Sequence, residues 1–92
     1  MIYNAVQKIM SDRQLACMLV NNVTEDELKT VKAVINDHST DYEGFWLSAF
    51  VNKNHELEKR GELTASAYNL ALNVIALCVF ERKIICLDPI YG

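Results

Sequence analysis

The chain predicts an all-α fold, a small bundle of four to five helices with an apolar C-terminal helix, about residues 64–83, at its centre. Three observations predict it. There is one proline, Pro89, and three glycines, Gly44, Gly61 and Gly92, so little interrupts a helix before residue 61. Three capping-box patterns, Ser11-x-x-Gln14, Thr24-x-x-Glu27 and Thr40-x-x-Glu43, each precede an amphipathic stretch. Apolar residues also recur every three or four positions.

The first segment, Ile2 to Met10, places Ile2, Val6, Ile9 and Met10 on one side. Ser11 either caps a new helix or lies inside a continuous one. Leu15 to Val20 is nearly all apolar, which predicts burial, and Asn21-Asn22 makes a turn. The next helix runs from Glu25 to about Asn36, with Leu28, Val31, Val34 and Ile35 inward. Asp37-His38-Ser39 is read as a loop. A long helix follows from about Asp41 to Arg60, its apolar stripe formed by Tyr42, Phe45, Trp46, Ala49, Phe50 and Leu57. Gly61 is expected to end it in a left-handed conformation. Thr64 caps the last helix, which is expected to reach at least Lys83, and Asp88-Pro89 ends any helix. Residues 84–87 suit either a helical continuation or a short strand.

The last helix is apolar nearly all round, which predicts burial on all sides by shorter neighbours or by another subunit. Between Ala65 and Phe80 its polar residues are Ser66, Asn69 and Asn73, at i, i+3 and i+7, a single narrow stripe. Polar residues at a buried seam fix register and oligomeric state, so Ser66, Tyr68, Asn69 and Asn73, together with Trp46, are candidates for an interface or ligand seam.

Ninety-two residues make one domain, 1–92. A hydrophobic fraction of 51% is high for so short a chain, in which surface outweighs interior. Some apolar surface is therefore expected to meet another chain, as in a homo-oligomer. A net charge of −3 lacks the basic footprint of a nucleic-acid binder and the dense acidity of a DNA mimic. Cys17, Cys78 and Cys86 have no paired spacing and sit among apolar neighbours, which suits reduced, buried thiols in the cytoplasm. No signal peptide is expected, and the stretch from Ala65 to Phe80 is too short and interrupted to span a bilayer.

Patterns that carry chemistry are sparse. His55-Glu56-Leu57-Glu58 lacks the second histidine of a zinc-protease helix. His38 with Asp37 and Asp41 needs a further segment to hold a metal. A Cys–His nucleophile requires core cysteines to meet surface histidines. No glycine-rich phosphate loop exists. A helix-turn-helix over residues 12–35 has suitable lengths, but its recognition helix would open with Glu25-Asp26-Glu27, where phosphates should be met. Lys53, Lys59, Arg60 and His55 make a basic helix end, interleaved with Glu56, Glu58 and Glu62 and reading as a solvated face, with Glu56 and Arg60 an i,i+4 pair. Trp46 with Tyr42, Phe45 and Phe50 forms an aromatic stripe that suits a core or a stacking platform.

No enzyme, cofactor or metal is expected. The expected function is that of a small non-enzymatic interaction protein binding another macromolecule, with a protein partner and as a homo-oligomer. An inhibitor, antitoxin, immunity factor or phage-encoded regulator suits this size. The alternative is a small-molecule or nucleotide-binding module using Tyr68, Asn69 and Asn73 at a helix or subunit seam, and the third is a nucleic-acid-binding regulator.

Overall fold

A computed structural model describes residues 1–38 and 45–81 of the chain. The described residues form five helices and no strand: α1 (Ile2–Ser11), α2 (Arg13–Asn21), α3 (Glu25–His38), α4 (Phe45–Lys59) and α5 (Ala65–Phe80). The fold class and the central place of the last helix are as the sequence predicts. The α5 helix packs against each of the other four. Its consecutive residues Val74, Ile75, Ala76, Leu77 and Cys78 are all buried, so every face of this turn and a half is covered. Each large apolar side chain buried there contributes about 1.5–3 kcal/mol. One chain supplies all the cover, with no second subunit needed. The radius of gyration, 12.2 Å, matches the ~12 Å of a compact domain this long.

Three boundaries differ from the sequence reading. Asp12, not Ser11, caps α2: its backbone is extended (φ −136°, ψ 97°) and its Oδ1 accepts from Gln14 N–H at 3.0 Å and Leu15 N–H at 3.2 Å. Ser11 remains in α1, its hydroxyl donating to the Lys8 carbonyl at 3.2 Å. The α3 helix continues through Asp37 to His38, so these two are helical rather than loop. The α5 helix stops at Phe80, with Glu81 as its C-cap, short of Lys83. Arg13 secures that end: its Nη2 donates to the Phe80 carbonyl at 3.2 Å and its guanidinium lies 5.9 Å from the Phe80 ring centroid.

Other signals act as read. Thr24 and Glu27 form a full capping box, Glu27 N–H donating to Thr24 Oγ1 and Thr24 N–H to Glu27 Oε1, both at 3.1 Å. Thr64 Oγ1 accepts from Ala67 N–H at 3.1 Å. Gly61 has φ +69°, and the bonds from Gly61 N–H to the Glu58 carbonyl and Glu62 N–H to the Leu57 carbonyl make a Schellman stop. The capping box expected at Thr40 and Glu43, residues 84–87 and Cys86 lie outside the described residues.

The α4 helix turns a different face inward than its aromatic stripe implied. Leu47, Val51 and Asn54 are buried, at i, i+4 and i+7, towards α1 and α5. Trp46, Phe50 and Leu57 are half-buried and Ala49 is exposed. Tyr42 and the side chain of Phe45 lie outside the described residues. Both faces of α4 are apolar, so composition did not select between them. The slimmer Leu47 and Val51 join the buried core where α4 packs on α1 and α5, leaving the bulkier rings at its rim.

Candidate functional site

The displaced stripe of α4 forms one wall of a groove whose other wall is the end of α3. Trp46, Ala49, Phe50, Lys53, Asn54 and Leu57 line it from α4, and Val34, Asp37 and His38 from α3, enclosing about 470 Å³. The α4 positions are i, i+3, i+4, i+7, i+8 and i+11, a straight stripe over three turns and about 16 Å. The α3 and α4 backbones hardly approach each other. What bridges them is a cluster of rings. The His38 imidazole lies parallel to Trp46, 5° between planes and 5.3 Å between centroids. Phe50 is tilted against both, 6.2 Å from Trp46 and 6.5 Å from His38. His38 is thus a half-buried stacking partner rather than a solvated loop histidine. Asp37 and Lys53 place one negative and one positive charge on the groove. Asn54 Nδ2 is satisfied by the Phe50 carbonyl at 2.8 Å.

The polar stripe of α5 stands elsewhere, and it is not a buried seam. Ser66 and Asn69 are exposed and Asn73 is half-buried, because α5 is enclosed only from Ala71 onward. These three side chains line a shallow groove of about 340 Å³ against Glu27 and Thr30 of α3, floored by Leu70. Thr30 Oγ1 already donates to the Asp26 carbonyl at 3.1 Å. The Glu27 carboxyl is held below its ordinary value of 4.5 by the bond from Thr24 N–H and then by the Thr24 hydroxyl. It is therefore a carboxylate at neutral pH. Among the described residues no Lys or Arg lines this groove, so the side-chain donors there are the uncharged Ser66, Asn69, Asn73 and Thr30. Tyr68 is half-buried in a third groove of about 390 Å³ with Met1, Glu58 and Leu63, and among the described residues only Asn69 lines both of these sites. The structure thus brings Ser66, Asn69 and Asn73 together, and places Tyr68 and Trp46 in separate grooves.

A cluster absent from the sequence reading joins α1 to α4. Glu58 Oε1 accepts from the Met1 ammonium at 3.0 Å, and Ile2 N–H reaches Oε2 at 3.2 Å. Desolvation pushes the Glu58 carboxyl up, but the ammonium, the Ile2 N–H and the field of His55 outweigh it and hold it below 4.5. His55 Nδ1 is 3.7 Å from Glu58 Oε1 and makes no hydrogen bond. The ring of His55 stacks on Tyr3 at 4.0 Å, and the Tyr3 hydroxyl donates to Asn52 Oδ1 at 2.5 Å. The i,i+3 spacing of His55 and Glu58 was the available signal. Geometrically this is a histidine–carboxylate pair, but the carboxylate serves as the N-terminal cap of α1. His55 is accordingly half-buried, not a surface residue.

The remaining chemistry is dispersed. Cys78 is buried, while Cys17 is only half-buried, its Sγ accepting from Asn21 Nδ2 at 3.5 Å. No group of three or more metal-ligating side chains occurs among the described residues. Glu56 pairs with Lys59 at 3.1 Å, and Arg60 with Glu62 at 3.3 Å, in place of the expected Glu56–Arg60 pair. The α3 helix packs on α5 and hardly touches α2, unlike the paired helices of a helix-turn-helix. No described helix is long and apolar enough to cross a membrane. Comparison of the chain with protein-family models, curated proteins and solved structures finds no match.

Proposed function

We propose that this is a non-enzymatic interaction protein whose docking surface is the groove between α3 and α4, and that the groove receives a helix of a protein partner. One observation carries this reading: Trp46, Phe50 and Leu57, among the largest apolar side chains of the molecule, stand outside the closed core along one straight, three-turn stripe. A small domain gains most stability by enclosing such side chains. Left half-exposed in a groove of about 470 Å³, they suit the anchors of an amphipathic helix, which presents apolar residues at i, i+4 and i+7. Trp46 and Phe50 are of the kind that supplies binding energy at the centre of an interface. Ala49, small and exposed, admits a close backbone.

Selection of displayed helical peptides on the immobilised protein tests this reading. The expected result is a set of binders with apolar residues at i, i+4 and i+7 that blue-shift the emission of Trp46, the chain's single tryptophan. A Trp46→Ala, Phe50→Ala double variant is expected to lose at least about tenfold in affinity for them. Binders indifferent to that double variant would sink the assignment of the groove.

A further inference from the structure

We infer that the free Met1 amine, the His55 imidazole and the Glu58 carboxylate form a binding site for a divalent first-row transition metal of the copper(II) or nickel(II) kind. Two observations carry it. The first is the spacing of the donors. Glu58 Oε1 lies 3.0 Å from the Met1 nitrogen and 3.7 Å from His55 Nδ1, so two nitrogens face one carboxylate oxygen. Two ligands bound at ~2.0–2.1 Å to one ion stand about 2.9 Å apart at a right angle and about 4.1 Å apart when opposite, and both separations fall between these limits. The second is an orphaned atom: His55 Nδ1 is buried and makes no hydrogen bond. Its 3.7 Å from Glu58 is too long for such a bond and suits two ligands on a shared ion. With the proton on Nε2, Nδ1 carries a lone pair beside a carboxylate oxygen, and a cation satisfies both.

The surroundings hold these donors ready. The Tyr3 ring stacks on His55 at 4.0 Å, and the Tyr3 hydroxyl is tied to Asn52 Oδ1, which fixes the imidazole. Glu58 Oε2 accepts from Ile2 N–H at 3.2 Å and anchors the carboxylate while Oε1 turns to the ion. On binding, the Met1 ammonium gives one proton to solvent and its nitrogen takes the metal in the proton's place. The N-terminus of α1 disfavours a cation, but His55 and Glu58 stand on the last two turns of α4, whose carbonyl end favours one. Met1 is exposed, so water completes the coordination. Two nitrogens and a carboxylate oxygen suit copper(II) and nickel(II), which take tetragonal nitrogen–oxygen sets, rather than magnesium, which takes oxygen.

Calorimetric titration of the untagged chain with nickel(II), which does not oxidise thiols, tests the site once intact mass has confirmed the free Met1 amine. The expected result is one nickel(II) per chain, with substoichiometric metal broadening the NMR signals of the His55 ring and the Ile2 amide first. His55→Gln is expected to weaken binding at least about tenfold, since even the outer partners of a metal ligand are worth that much. Acetylation of the Met1 amine, which leaves every side chain in place, is expected to weaken it by a similar factor. Glu56→Gln, at an exposed carboxylate on the same helix, is expected to bind like the parent. Nickel(II) is also expected to raise the thermal midpoint of the parent and not of His55→Gln, because the three ligands meet only when α1 and α4 are folded together. Unchanged affinity in His55→Gln or in the acetylated chain overturns the inference, because the ion then sits on other groups. Absence of binding at about 500 µM nickel(II) overturns it as well.

Discussion

Ser48 sits on the inward side of α4 at 7% exposure, and its hydroxyl oxygen makes no hydrogen bond. Leaving a buried hydroxyl without a partner costs roughly 1–3 kcal/mol, whereas alanine at the same place removes the unmet group and raises helix propensity. Ser48→Ala is therefore expected to stabilise the protein by about 1 kcal/mol, read as a higher urea midpoint with an unchanged slope. A lower midpoint would show that the hydroxyl is satisfied in solution. Nothing in the sequence marked Ser48, since its burial follows from which face of α4 turns inward. Gly61 is the opposite case. A glycine at the end of a helical pattern needs no tertiary information to be read as a left-handed stop, and its φ of +69° agrees.

Helices were legible where the signal is local. The capping box at Thr24 and Glu27 and the cap at Thr64 stand where the pattern placed them, because each is complete within four residues. At the start of α2 the pattern misled: Gln14 three residues after Ser11 completed the motif, yet the bonds are made by Asp12. A carboxylate at that position satisfies two free N–H groups and complements the helix dipole without a reciprocal partner. The two caps are separable by experiment. Asp12→Ala is expected to cost about 1 kcal/mol, and Ser11→Ala, which loses only a bond to the Lys8 carbonyl, less than about 0.5 kcal/mol. Equal effects in chemical denaturation would return the cap to Ser11. The α4 stripe and the α5 polar stripe were both read from periodicity alone. Periodicity gives faces but not neighbours. It therefore found Trp46 and Phe50 as a group without deciding between core and platform, and found Ser66, Asn69 and Asn73 as a group and took them for a buried seam. Only the placement of α3 beside both helices decides that the first group lines a groove and the second meets solvent and Glu27.

At the scale of the whole molecule, α1 and α4 are tied by groups far apart in sequence, and this was not legible at all. Glu58, on the last turn of α4, closes the open N-terminus of α1 through Met1 and Ile2, 57 and 56 residues away. Its carboxyl titrates below the ordinary 4.5 in the fold, so the folded chain keeps the charge at a pH where the unfolded chain has taken up a proton. The resulting stability is complete above the unfolded value and is lost as pH falls through the lower, folded value. Glu27 acts in the same direction through its bond from Thr24, so removing Glu58 reduces the acid sensitivity without abolishing it. The expected outcome is that Glu58→Gln lowers stability at pH 7 and makes the loss between about pH 5 and pH 3 shallower than in the parent, as urea midpoints across that range would show. The amide keeps the size of the carboxyl and can still accept from Ile2 N–H, so what the comparison isolates is the charge facing the Met1 ammonium and the α1 dipole. A parallel pair of pH profiles would mean that this charge contributes nothing and that the N-terminus of α1 is held by packing of Ile2 and Val6 against α5 alone.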